Sequence, residues 1–335
     1  MSAGLFFAVF FVSIAATKAV LVQLRQRAMF DVPNSRSSHQ VPTPRGGGIA
    51  ILAIFLPATL ALVLAEEIPT FEAATLAGLA TLLAAVCWID DVRDLNPAVR
   101  LGVHVATVAI AMIMGLVDGP VFGGLLPRWI DQTVAVLLWI WFINLFNFMD
   151  GIDGFAAVET ITIGIGVALV SILTQSVPFP AIVGVVLAGA AGGFLIWNWH
   201  PAKIFMGDVG SVPCGFVLGW VLLNLAASGY WMAALILPAY FIVDASFTLG
   251  KRLLRGDRVW RAHREHFYQY AIDQGRSHAS VSTALAVTNG ILMALAITVM
   301  PGFEFWSMGG AIFAVGALIF WMRSSRSASN SENSS

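Results

Sequence analysis

Charge is scarce in this chain. Asp, Glu, Lys and Arg make up 11% of its 335 residues, against 58% hydrophobic residues, whereas a soluble domain carries roughly a quarter charged residues. Too few polar side chains remain to cover a water-facing globule. Neither sign is in excess: a net charge of −1 excludes a strongly basic surface protein, and no nucleic-acid partner is expected. Cysteine is almost missing. Cys87 and Cys214 lie in or beside apolar runs, imply no disulfide framework and read as small buried hydrophobes. No basic residue precedes the first apolar run and no convincing cleavage site follows it, so it reads as a retained helix. No repeat of fixed period is present.

What fills the chain is a succession of apolar runs of about 17–22 residues, long enough to cross about 30 Å of hydrocarbon. The runs are continuous rather than alternating, which selects helices over a closed barrel. The expected fold is therefore all-α: a polytopic integral membrane protein with about eleven transmembrane helices, near 4–22, 46–65, 72–89, 98–117, 132–149, 155–174, 181–199, 211–227, 231–249, 279–299 and 306–322. One membrane-embedded domain covers 1–323, and the Ser/Asn-rich tail 324–335 reads as disordered. Of the 18 basic residues, all but Arg128 and Lys18 fall in alternate connections. The positive-inside rule puts that side in the cytoplasm, with the N-terminus periplasmic and the C-terminus cytoplasmic. Outer connections are short, whereas the inner ones, 23–45, 90–97, 200–210 and 250–278, are long and chemically unusual.

Carboxylates gather at those inner ends. The third span closes in Asp90-Asp91-Val92-Arg93-Asp94. Acids stacked at a helix C-terminus repel one another and oppose the macrodipole. A divalent metal relieves both problems; an interfacial acid cluster paired with Arg93 and Arg100 is the plainer reading. The fifth span ends in Asn147-Phe-Met-Asp150-Gly151-Ile-Asp153-Gly154, whose polar groups step by three along one stripe. A cap and turn account for one Asp and one Gly, not for the run. After the seventh span come Lys203 and Phe205-Met-Gly207-Asp208-Val-Gly210-Ser211, a Gly-bearing loop opening a helix whose free N–H groups suit an anion. Lys203 suits a phosphate, Asp208 a metal and Phe205 a stacked base, while Asp208 or Ser211 also serves as an N-cap.

Two basic loops complete the inner face. In the first, Pro33, Pro42 and Pro44 lead to Arg45-Gly46-Gly47-Gly48, readable as an anion cradle or as a stiff connector. In the last, His263-Arg264-Glu265-His266 offers groups suited to a diphosphate. It lacks the HExxH spacing of a zinc protease. Within the spans Asp244, Glu159 and His104 stand out, and Asp244 is expected to pair with a basic residue of the following loop.

These four ordered motifs, with the terminal His motif, resemble the polyprenyl-phosphate N-acetylhexosamine-1-phosphate transferases, a family that includes phospho-N-acetylmuramoyl-pentapeptide translocase. The resemblance runs over nearly the whole chain. It implies a bacterial inner-membrane enzyme with its active site on the cytoplasmic face, Mg2+ (with Mn2+ as a substitute), a UDP-N-acetylhexosamine donor, undecaprenyl phosphate as acceptor and UMP as leaving group, among membrane lipids and with room for a homodimer. By position, Asp208 matches the family's metal-binding Asp, and Asp90 and Asp91 match acids assigned to metal binding or acceptor activation. The resemblance thus implies Asp90, Asp91 and Asp208 as catalytic and Asp208 and Asp91 as metal ligands. Asn147, Asp150, Asp153 and Phe205 match residues around the nucleotide; Lys203, Arg45, His263, Arg264 and His266 complete the substrate-binding set. The form His263-Arg264-x-His266-x-Tyr268-Gln269 departs from the translocase's three histidines and looks like enzymes that start O-antigen chains on 6-deoxy sugars such as FucNAc or QuiNAc. His39 stands where translocases tend to carry lysine. Both departures argue against a peptide-bearing donor and leave UDP-GlcNAc as the alternative. A lipid-linked transporter or flippase is the alternative from another class, and it predicts transport without UMP release.

Overall fold

The structure, a computed structural model, describes residues 2–33, 41–93, 95–258, 263–299 and 303–324. His39, Asp94 and the tail from 325 onward, on which expectations fell, lie outside these residues. Among the described residues the architecture is helical apart from one short ladder: β1 (Phe30–Asp31) pairs antiparallel with β2 (Thr43–Pro44).

Among the described residues, eight helical stretches are long and apolar enough to cross a membrane. They are α1 (Ser2–Gln26), α3 (Thr70–Arg93), α5 (Arg128–Phe148), α6 (Phe155–Thr174), α7 (Pro178–Asn198), α8 (Asp208–Leu225) with its continuation, α12 (His278–Ile297) and α13 (Glu304–Arg323). Two further expected spans are the apolar helices α2 (Gly48–Leu64) and α4 (Pro97–Ile113), each 17 residues long. At about 1.5 Å per residue they reach roughly 25 Å, the lower limit for a crossing. The ninth expected span, 231–249, is not one helix. Residues Ala226–Tyr230 form a π-turn in which Gly229 takes φ +98°, and α9 (Trp231–Ile236) stops ahead of Pro238 before α10 (Ala239–Leu254) resumes. A proline lacks the N–H that would continue the ladder, and average hydropathy does not register such a break.

α8 sits at the centre, and nearly every residue from Val209 to Leu225 is buried. A helix apolar all round needs neighbours on every face, and small residues bring them close. Cβ atoms at Gly215 and Gly219 would stand 3.1 Å from Ile143 Cα and 2.6 Å from Trp139 Cδ1 of α5. On α7, a Cβ at Gly193 would meet the Phe10 carbonyl of α1 at 2.5 Å. The tightest approach is Gly48 at the start of α2 against Gly210 of α8, where an added Cβ would fall 2.1 Å from Gly210 Cα. This contact locks the first inner loop to the loop that opens α8.

Gly48→Ala therefore has only backbone to push against and is expected to cost roughly 1–3 kcal/mol. Gly78→Ala on α3, where an added Cβ meets nothing within 4 Å, is expected to be neutral or stabilising. Thermal unfolding of the detergent-solubilised variants checks this, and equal Tm values for the two would contradict the packing.

Candidate active site

Asp90 and Asp91 lie in the last turn of α3 and Asp208 in the first turn of α8. Acids at the C-terminal end of α3 need cations, and two guanidiniums supply them. Arg100 Nη1, from α4, lies 2.7 Å from Asp90 Oδ2 and 3.4 Å from Asp208 Oδ2. Arg45 Nη2 lies 2.8 Å from Asp208 Oδ1 and 3.6 Å from Asp91 Oδ1. Each cationic nitrogen thus stands between carboxylates of different helices. The Leu95 N–H donates to Asp90 Oδ1 at 2.7 Å and fixes that side chain further. The donor set is hard carboxylate oxygen, the ligand type that a divalent cation such as Mg2+ takes, and in the structure guanidiniums hold the two bridging positions.

Arg45 reaches the cluster because its loop is pinned. Phe205 N–H donates to Pro44 O at 2.8 Å, Gly47 N–H to Phe205 O at 2.8 Å and Gly48 N–H to Met206 O at 2.9 Å. The amides of Gly47 and Gly48 are thereby spent on carbonyls. Of the two readings of this loop, the stiff connector describes them, and anion contact is left to the Arg45 side chain.

The turn after α5 presents its polar stripe to α8. Asn147 Nδ2 donates to Ser211 Oγ at 2.8 Å. Burial, with the negative charge of Asp208 adding and Arg45 opposing, pushes the Asp150 carboxyl well above the usual range. Gly151 has no room for a side chain, since a Cβ would fall 2.2 Å from Tyr268 Oη; that hydroxyl donates to Phe148 O at 2.9 Å. Asp153 faces another way. Its Oδ2 is 2.6 Å from His200 Nδ1 and accepts the Ala202 N–H at 3.1 Å, and its Oδ1 is 3.1 Å from His278 Nδ1. Burial works against the charge, but the His278 and His200 contacts and the Ala202 N–H hold this carboxyl below its usual range.

Phe205 lines a cavity of about 460 Å³ with Thr43, Asp153, His200, Arg276 and His278. Lys203 is exposed, its Nζ 5.2 Å from the Trp197 ring centroid, and stands apart from the acids. The last loop hangs on Asp244 of α10. This fully buried carboxylate accepts from Tyr240 Oη (2.7 Å), Thr248 Oγ1 (3.2 Å), His266 Nδ1 (3.0 Å) and the Phe267 and Tyr268 amides (3.1 and 3.4 Å). The His263 ring stacks 4.8 Å from His266, and Arg264 Nη2 lies 2.8 Å from Asp273 Oδ1. Burial, then the charges of His266 and Arg252 against those of Glu265 and Asp244, lowers His263 to about 4. Near neutral pH it offers hydrogen bonds, not charge.

Residues 73–226 match the family described as Glycosyl transferase family 4. A decaprenyl-phosphate N-acetylglucosaminephosphotransferase of Mycolicibacterium smegmatis is 29% identical over 322 residues, which cover 84% of this chain and 78% of that protein. A Bacillus subtilis protein named as a probable undecaprenyl-phosphate N-acetylglucosaminyl 1-phosphate transferase is 27% identical over 303 residues, covering 88% and 82%. A phospho-N-acetylmuramoyl-pentapeptide-transferase of a Mycobacterium species is 29% identical over 267 residues, covering 65% and 74%. Over that segment the chain resembles glycosyl transferase family 4. The segment matched to glycosyl transferase family 4 holds Asp90, Asp91, Arg100, Asn147, Asp150, Asp153, Lys203, Phe205 and Asp208, while Arg45 and the His263–His266 loop lie beyond it.

Sequence reasoning left Arg100 as a mere ion-pair partner and did not single out His200 or His278. His278 carries no local signal, because it meets Asp153 only through the packing of α12 beside the turn. Asp244 was legible as a buried charge, and its contacts are with the loop expected to receive it.

Asp244→Ala removes one acceptor from five donors and is expected to cost about 3–5 kcal/mol, with faster amide exchange across 266–268. Tyr240→Phe deletes one of those bonds and should cost about 1 kcal/mol. Thermal melts with hydrogen exchange separate the two, and equal losses would mean that Asp244 is not the anchor.

Proposed function

We propose that this chain transfers an N-acetylhexosamine-1-phosphate from a UDP-sugar to undecaprenyl phosphate, releasing UMP, on the cytoplasmic face of a bacterial inner membrane. The observation that carries the reading is the meeting of Asp90, Asp91 and Asp208 with Arg45 and Arg100 beside the Phe205 cavity. Arg45 forms a β-bridge with Phe205, so one side chain can stack on a base while the adjacent guanidinium reaches a diphosphate. The relatives named above act, by their names, on polyprenyl phosphates or transfer phospho-sugars. The sequence expectation of eleven crossings with a periplasmic N-terminus would put this whole cluster on the side rich in Lys and Arg.

In this reading Asp208 and Asp91 would hold Mg2+, or Mn2+ in its place, which would supply charge neutralisation at the donor diphosphate. Arg45 and Arg100 donate to phosphate oxygens and offset the remaining charge. Asn147 and Asp150 stand near the nucleotide, and Asp153 holds the wall of the base cavity. Lys203, His263, Arg264 and His266 form the outer binding set. Asp90 orients the lipid phosphate and accepts any proton it still carries; a phosphate monoester with a second pKa of about 6 is mostly dianionic at neutral pH. An acceptor oxygen attacks the β-phosphorus in line, a new P–O–P bond forms, the bond to the α-phosphate oxygen breaks, and UMP departs with that electron pair. Two of the relatives are named for N-acetylglucosamine transfer, which favours UDP-GlcNAc as a second reading beside a 6-deoxy N-acetylhexosamine donor suggested by the His263–Gln269 motif.

Membranes supplied with undecaprenyl phosphate and a panel of UDP-N-acetylhexosamines test this by UMP release and lipid-product mass. Asp208→Asn and Asp90→Asn should each lower the rate on the order of 10²–10³-fold, and chelation of divalent metal should abolish it. Near-normal rates in both variants would sink the assignment, and lipid movement without UMP release would support a flippase instead.

A further inference from the structure

Away from the acid cluster, Asp153, His200 and His278 offer three ligand atoms that all lie within 4.8 Å of one another. We propose that Asp153, His200 and His278 form a second metal site, for a divalent transition-metal ion of the zinc class. Two imidazoles and one carboxylate are a donor set that suits zinc, copper or nickel, whereas the all-carboxylate cluster at Asp208 suits magnesium. The two sites would therefore sort cations by ligand softness.

Both rings turn Nδ1 toward the carboxylate, each to a different oxygen, and His278 Nδ1 also receives the Asp153 N–H at 3.4 Å. Their separations are 2.6 Å for His200 Nδ1 to Asp153 Oδ2 and 3.1 Å for His278 Nδ1 to Asp153 Oδ1. Zinc bonds of about 2.0–2.2 Å place tetrahedral ligands roughly 3.3 Å apart, so an ion enters after shifts of under about 1 Å. It then replaces the protons that these nitrogens and oxygens share. Metal sites need outer partners that hold their ligands in place, and these are present. Ala202 N–H donates to Asp153 Oδ2 at 3.1 Å, and Ser282 Oγ donates to Asp153 O at 2.7 Å. Asp153 and His278 are buried, while His200 is 38% exposed at the Phe205 cavity. That cavity supplies an entry path and an open fourth position for water or a ligand oxygen.

An ion held there would tie three segments: the turn after α5, the loop after α7 and the first turn of α12. Asp153 is separated from His200 by 47 residues and from His278 by 125. The site would fasten the walls of the cavity in which Phe205 stands. It does not depend on the proposed transfer reaction, and its readout is metal binding.

Purified protein in detergent is stripped with a chelator, then given Zn2+ or Co2+ in the presence of excess Mg2+ and desalted. Metal is counted by mass spectrometry, Co2+ coordination is followed by its visible absorption, and thermal unfolding is recorded. The expected result is one retained equivalent and a raised Tm in the wild type and in Asp208→Asn. In His200→Ala, affinity should fall more than about tenfold and the Tm gain should vanish. If His278→Ala does not fold, half-exposed His200 still provides the test through His200→Ala and His200→Gln. A wild type that retains no ion, or a His200→Ala protein that retains it equally, overturns the proposal and leaves a hydrogen-bonded His–Asp–His tie.

Discussion

Everything on the functional face follows from the cost of crowding carboxylates into a chain poor in charge. Asp90, Asp91 and Asp208 would repel one another at the ends of two packed helices, and low dielectric makes that repulsion severe. Arg45 and Arg100 make the arrangement tenable by standing between acids of different helices. Their placement in turn dictates how the first inner loop folds, where α4 starts and how closely α2 approaches α8. A cluster neutralised in this way is also primed for exchange. A metal ion and an anionic substrate together can take over the balance that the guanidiniums keep, because the sum of charge is what the site must satisfy.

Much of the fold was legible because continuous apolar runs have few folded solutions in a membrane. The helices α1, α3, α5, α6, α7, α12 and α13 lie where hydropathy puts them. Residues 231–249 were harder, since Gly229 and Pro238 break the helix without lowering average hydropathy. The acids were legible for the opposite reason: each is an expensive residue at a helix end. Arg100 was legible as a partner of the third-span acids, but its reach to Asp208, like the role of His278, was not, because those partners lie far along the chain. No spacing rule connects His278 to Asp153, and only the packing of α12 against α6 brings them together.

The basic loops divide similarly. Composition marked the last loop as anion-contacting and left the first open between an anion cradle and a stiff connector; there the amides of Gly47 and Gly48 bind the carbonyls of Phe205 and Met206. The glycines serve close backbone approach, seen again where Gly48 meets Gly210 and Gly151 meets Tyr268. In the last loop His266 and the Phe267 and Tyr268 amides are held by Asp244, so this buried acid anchors the segment that follows the basic run.

The clasp between Arg45 and Asp208 spans 163 residues, and this separation has a bearing on biogenesis. A chain that enters the membrane from its N-terminus exposes Arg45, then Asp90 and Asp91, long before α8 arrives to receive them. The acid–guanidinium cluster is thus complete only once α8 is in place, where Gly210 packs on Gly48. Partly inserted chains have helices but no assembled cluster.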